Sequence, residues 1–187
     1  MNKLIGILLL CLSAQVFGAA VGGVVLQDKV QVGTSTVVLN GAGIRSKVVF
    51  SIYVGALYLQ QKQKGAEAVL ADKGAKRISL HVLHRLSAGD FMEAFNKAIN
   101  DNHTPQEYAP LAARLLRFGR VFREVGMVEK GSVIIMDYLP ETDMMVLTVN
   151  GKERERIPCA DFYVAMMKIW LGKQPVQESL KRAMLGE

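Results

Sequence analysis

A guanidinium, a hydroxyl and a phenol stand at Arg45, Ser51 and Tyr53, in a stretch that reads as extended from Arg45 onward. Odd positions of an extended chain share a face, so these three side chains look the same way. Arginine binds carboxylates and other oxyanions through a planar fork and keeps its charge even when half buried. At the mouth of an apolar cleft it suits a ligand with one anionic head and a greasy body. Two arrangements compete with that reading. Arg45 could pair with an acidic side chain or cap backbone carbonyls, and a bulge at Ser46-Lys47 would reverse the parity.

Other reactive residues lack the company their chemistry needs. His81 and His84 are three apart in a strand and point to opposite faces, so they cannot share a metal ion. His103 sits in a connection between helices with no cysteine or carboxylate cluster beside it, so no metal and no cofactor is read from the chain. Cys159 follows Pro158 without a histidine near it in sequence, as a small, partly buried residue would and a nucleophile would not. Arg114, Arg117, Arg120 and Arg123 recur every three residues, each step about 60° short of a full helical turn. They spiral round their helix as a solvated face, with lipid headgroups the alternative partner and the reason to expect membrane-surface contact. Gly41-Ala42-Gly43 lacks the full pattern and the following helix of a phosphate loop.

These residues need a scaffold, and the composition supplies one. The chain has 187 residues, 50% hydrophobic and 21% charged, enough for one domain with its own core. Its two cysteines cannot staple a chain of this size, and its apolar content excludes disorder. The net charge of +6 is spread along the sequence, so no nucleic-acid partner is expected. Residues 1–20 read as a secretory signal peptide: a positive start at Met1-Asn2-Lys3, an apolar run from Leu4 to Leu12, then small residues up to a cut after Gly18 or Ala20. That run is too short to span a bilayer. Residues 21–187 remain as the folded domain.

Strands are expected over 24–32, 37–39, 48–59, 77–83, 132–138 and 144–149, with turns at Asn40-Gly41 and Asn150-Gly151. The even positions of 48–59 are uniformly non-polar or aromatic and the odd ones mixed, which predicts cover on one face and something semi-polar on the other. Helices are expected at 66–71, from Ser87 with Asp90 as its capping partner, over 105–124, from Asp161 to Gly172, and from Pro175. Strands, helices, strands and helices in that order describe an α+β domain, a largely antiparallel sheet with helices on one face.

Three segments carry a resemblance. Leu39-Asn40-Gly41-Ala42-Gly43-Ile44-Arg45, the strand ending Tyr53-Val54-Gly55-Ala56-Leu57-Tyr58-Leu59, and Phe162…Ile169-Trp170-Leu171-Gly172 with Leu180-Lys181 resemble bacterial chalcone isomerase-like proteins, from about Gly22 to Gly186. The resemblance implies an open-faced β-sandwich, a large antiparallel sheet backed by a layer of helices, with a ligand cleft between them. That superfamily holds plant enzymes that cyclise chalcones and non-catalytic members that bind fatty acids. Both kinds keep an arginine after the Gly-Ala-Gly segment, and Arg45 matches it. The enzymes' tyrosine aligns with Phe91, which has no hydroxyl, and their threonine aligns with Tyr53 across a shorter segment. The resemblance therefore implies an exported, periplasmic, non-catalytic protein that holds a small amphipathic anion such as a fatty acid, with Arg45, Tyr53, Ser51 and Phe91 as ligand-binding residues. An intramolecular lyase acting on an unsaturated ketone, with Arg45 catalytic, is the alternative. An envelope interaction protein with a vestigial cleft is the second.

Overall fold

Alternating apolar residues build a seven-stranded sheet, antiparallel at every pairing, in a computed structural model that describes residues 18–187. A short hairpin of β1 (Gly18–Val21) and β2 (Val24–Gln27) precedes it. The sheet then takes β3 (Lys29–Val32), β4 (Ser35–Lys47) and β5 (Phe50–Leu59) as consecutive antiparallel neighbours. After α1 (Ala66–Ala71) comes β6 (Lys76–Val82), and β7 (Leu86–Ser87) leads into α2 (Ala88–Asp101). Two further helices follow, α3 (Pro105–Tyr108) and α4 (Ala112–Val125), then β8 (Met127–Val128), which pairs with β7. Strands β9 (Val133–Leu139), β10 (Met144–Val149) and β11 (Lys152–Pro158) complete the sheet in the order β11-β10-β9-β6-β5-β4-β3. Helices α5 (Ala160–Leu171) and α6 (Glu178–Met184) end the chain. Of the expected signal peptide, residues 1–17 lie outside the described residues, and Gly18–Ala20 belong to β1.

The helices cover one side of the sheet. Leu57 and Leu59 of β5, Ile78 and Leu80 of β6, and Met145 and Leu147 of β10 pack in one cluster with residues of α2, α4 and α5. Phe95, Phe118 and Phe122 form its aromatic centre, with ring centroids 4.6 Å apart for Phe95–Phe118 and 5.0 Å for Phe118–Phe122. Burying one such ring stabilises the fold by about 1.5–3 kcal/mol. On the opposite side Val54, Ala56 and Tyr58 of β5 pack against Leu26, Val32, Val37 and Ala75. β5 is therefore buried on both faces, and its odd positions Tyr53, Gly55, Leu57 and Leu59 meet apolar helices instead of a semi-polar surface.

Several expectations change in the structure. The Asn40-Gly41 pair makes no turn. It lies inside the long strand β4, where α6 comes so close that a Cβ on Gly43 would stand 2.6 Å from the Ala183 Cβ. Glycine here serves close approach rather than a turn. The single helix over 105–124 is divided into α3, a 3-10 turn at Ala109–Leu111, and α4. Pro110 has no amide hydrogen to donate and crowds the preceding turn. The last helix starts at Glu178 rather than Pro175, and Val48-Val49 form a turn ahead of β5. The charged stretch of β11 escaped the apolar pattern altogether; as an edge strand it carries the lysine and glutamates that discourage further pairing. Ser87 caps α2 as expected, its hydroxyl accepting from the Asp90 amide at 3.0 Å.

Candidate functional site

A cleft of about 710 Å³ opens between the β4–β5 end of the sheet, α2 and the segment from the end of α5 to Val176. Its volume falls within the range of about 300–1,000 Å³ usual for small-molecule sites. Ile52, Leu86, Ala98, Ile169, Pro175 and Val176 give it an apolar lining, with Tyr53, Phe91, Phe95 and Trp170 as its aromatic walls. Arg45, Lys47, His84, Arg85 and Lys97 bring positive or titratable groups to it, and Asp90, Glu93 and Asp101 of α2 bring carboxylates.

The register of β4 on β5 brings Arg45 to this cleft. The arginine stands directly opposite Tyr53 across the β4–β5 ladder, and opposed residues share a face. The next pair is Ser46 with Ser51, so Ile52 is the extra residue. The parity break therefore falls beyond Tyr53. Arg45 and Tyr53 keep a common face, while Ser51 is turned away, is exposed and does not line the cleft. The expectation that Arg45, Ser51 and Tyr53 converge holds in placement for two of the three.

The guanidinium is held by neutral groups. Nη1 donates to the Ser46 carbonyl and, at 3.2 Å, to Gln177 Oε1. Gln177 also accepts from the Ser46 amide at 2.9 Å and donates to the Ile44 carbonyl at 3.1 Å, so one amide side chain clamps the backbone on both sides of Arg45. Among the described residues Arg45 has no carboxylate within 4.0 Å, and its charge is left for another partner. Part of the capping alternative is thus realised, but the ion pair that would have quenched the charge is not.

Tyr53 is 9% exposed and accepts a hydrogen bond from Trp170 Nε1 at 2.9 Å. Burial pushes its phenol up to about 12, although the Trp170 hydrogen bond and the Arg45 charge both pull the other way. At neutral pH it is a hydrogen-bond donor and acceptor, not a base. Its own proton has no acceptor among the described residues. Phe91 also lines the cleft, its ring centroid 4.5 Å from that of Phe122 and 6.3 Å from that of Phe95. It offers surface and no hydrogen bond.

Trp170 and Gln177, the direct partners of Tyr53 and Arg45, are among the site residues that sequence reasoning did not assign. Trp170 stood on the apolar stripe of its helix, with nothing to distinguish a buried ring from a cleft wall. Gln177 lies 132 positions from its arginine, and a lone amide carries no signal of its own.

The remaining candidates are dispersed. His81 faces the other side of the sheet and bonds Ser79 Oγ at 3.3 Å, while His84 is exposed with its ring 4.9 Å from that of Phe50. Cys159 is 2% exposed, and burial pushes its thiol up to about 12, so it is no thiolate at neutral pH. Arg114 pairs with Asp161 and Arg117 with Glu155 at 2.8 Å, fastening α4 to α5 and β11; Arg120 and Arg123 remain exposed. The arginine spiral is half structural.

The model of the chalcone isomerase-like family matches residues 18–186. Among solved structures, a fatty-acid binding protein of Arabidopsis thaliana superposes with a TM-score of 0.66 at 13% identity, covering 87% of this chain and 92% of that one. At that identity the likeness establishes the fold, an α+β architecture with a large antiparallel sheet backed by helices. Among curated proteins no match is found.

Proposed function

The chain belongs to the chalcone isomerase-like family, and from that membership and the cleft we propose that it is an exported, non-catalytic binder of a small amphipathic anion such as a fatty acid. One observation carries the reading: an arginine without a carboxylate partner borders a cleft in which Ile52, Tyr53, Phe91, Ile169, Trp170 and Val176 offer apolar and aromatic surface alongside its charged side chains. Arg45 takes the anionic head through charge-assisted hydrogen bonds, Tyr53 adds the proton that nothing else accepts, and the chain lies along Phe91, Ile169 and Val176. The fatty-acid binding protein of the same fold supports this class of ligand. Phe91 supports binding over turnover, because a cyclising site needs a hydroxyl to orient the substrate ketone and a phenyl ring has none. The leader pattern of residues 1–20 supports delivery to the periplasm.

Native mass spectrometry of the purified protein is the first experiment, with co-purifying fatty acid the expected result. Titration then compares wild type with Arg45→Ala. Loss of a charge-assisted hydrogen bond worth about 1.5–3 kcal/mol weakens affinity roughly ten- to hundredfold. Equal affinity in both proteins removes Arg45 from the site, and Arg45-dependent turnover of a chalcone replaces the binder by an isomerase.

A further inference from the structure

The turn between β4 and β5 leaves three consecutive apolar side chains in solvent: Val48 is 91% exposed, Val49 82% and Phe50 54%. One exposed hydrophobic residue is ordinary, but three in succession at a hairpin tip are a patch that calls for a partner. The backbone gives a second sign. Val48 has a φ of +56°, the left-handed region that a β-branched residue enters only against steric resistance, where glycine or asparagine would turn the chain without strain. A residue that is strained, apolar and solvent-facing serves neither the core nor the turn, and such strain gathers at functional sites.

Cations surround the tip. Lys47 precedes it and is exposed. Arg85 follows, its side chain 63% exposed and held at 3.3 Å only by the equally open Glu129. Such an exposed pair is weak and easily exchanged for another anion. Lys47, His84 and Arg85 also line the cleft, so the tip is continuous with its mouth. The carboxylates that share the cleft, Asp90, Glu93 and Asp101, belong to α2 and not to the tip.

We propose that this hairpin tip docks the protein on an anionic lipid bilayer, with Val48, Val49 and Phe50 entering the acyl boundary and Lys47 and Arg85 meeting the phosphates. A protein partner fits less well, because three residues at a projecting turn fall far short of the roughly 800 Å² that each partner buries in a specific interface. A bilayer needs no shaped counterpart. The docking stands without the ligand reading. If both hold, the cleft opens where amphipathic anions are already partitioned.

The test reads the tip directly. In the full chain with Cys11→Ser, Val49→Cys carries a polarity-sensitive dye; Cys159 is 2% exposed and stays unlabelled. Leu116→Cys on α4, at a position 65% exposed, is the control. With phosphatidylglycerol vesicles the dye at position 49 shifts to the blue, with phosphatidylcholine vesicles it does not, and the control dye is unmoved. Lys47→Glu with Arg85→Glu raises the lipid concentration for half the shift at least about tenfold, with the melting temperature unchanged. No shift at position 49, or an equal shift at position 116, overturns the proposal. A shift that grows with protein concentration without vesicles also overturns it and assigns the tip to a second copy of the chain.

Discussion

Tyr53 and Trp170 meet in a setting where both rings are almost fully buried, at 9% and 2% exposure. Tyr53→Phe keeps the ring and deletes the hydroxyl, so it strands the indole N–H without an acceptor. Leaving a buried donor unsatisfied costs about 1–3 kcal/mol, which chemical denaturation reads as a lower midpoint at an unchanged slope. The same variant removes a proton that the ligand's head would accept, so fatty-acid affinity falls as well. A variant as stable as wild type would show that the indole finds another acceptor or that water reaches it. Because burial holds the phenol near 12, neither effect depends on Tyr53 ionisation below about pH 10. At this scale the sequence discloses a good part of the site. Residue types and parity select Arg45 and Tyr53, and the absence of a hydroxyl at Phe91 is visible in its letter. Ser51 is misplaced because one bulged residue, Ile52, reverses the parity beyond it, and a bulge belongs to the pairing of two strands, which the residue's own type does not signal.

Elements place those residues, and α6 lies in close contact with β4. Asn40 donates to the Met184 carbonyl at 2.9 Å and accepts from the Gln63 amide at 2.7 Å, tying the strand to the end of α6 and to the loop after β5. Gly41 and Gly43 leave room for the helix, and Gln177, just before it, reaches Arg45. A methyl group on Gly43 would stand 2.6 Å from the Ala183 Cβ and 3.2 Å from Leu180 Cδ1. Gly43→Ala therefore pushes α6 outward and costs about 1–3 kcal/mol, as overpacking does. Because the displaced helix carries Gln177, ligand affinity falls with stability. Ala183→Gly in the same chain returns the space and restores most of the midpoint, less about 1 kcal/mol for glycine inside a helix. A Gly43→Ala protein with the wild-type midpoint would refute the packing argument. This contact explains why Asn-Gly misled. The dipeptide signals either a turn or a close approach, and only a helix 140 residues away decides between them. The start of α2 and the apolar run of β10 needed no such distant arbiter: Ser87 opens the one and Asn150-Gly151 closes the other.

The whole molecule sets its sheet between two unlike environments. The helix side is largely apolar, broken by the buried Lys76 at the start of β6 and by Arg45 near the end of β4. On the other side β6 and β9 display Arg77 and Asp137, joined by two hydrogen bonds of 2.6 Å, with Ser79 and His81 farther along β6. The Arg77 guanidinium also donates to the Gln31 carbonyl at 3.1 Å, linking this polar row to the strand at the sheet's edge. His81 is half-buried there beside Val25, Val133 and Ile135, and burial holds its imidazole below the ordinary histidine range. The folded state thus prefers the neutral ring. An unfolded chain binds the proton with a pKa near about 6.5, so the unfolded state gains protons first as the medium is acidified. The stability contributed by the neutral ring is complete above that value and is lost as pH falls toward the folded-state pKa. Paired carboxylates such as Asp161 begin to lose their contribution only near the unfolded carboxylate pKa of about 4, outside the same window. Melting temperature should therefore fall between pH 7.5 and 5.5 in wild type and fall less in His81→Leu, whatever that substitution does to stability at pH 7.5. The comparison is of slopes, so a general gain or loss from the leucine does not blur it. An equal fall in the two proteins would move the titrating group elsewhere and leave His81 as a neutral spacer between the polar row and the hairpin above it.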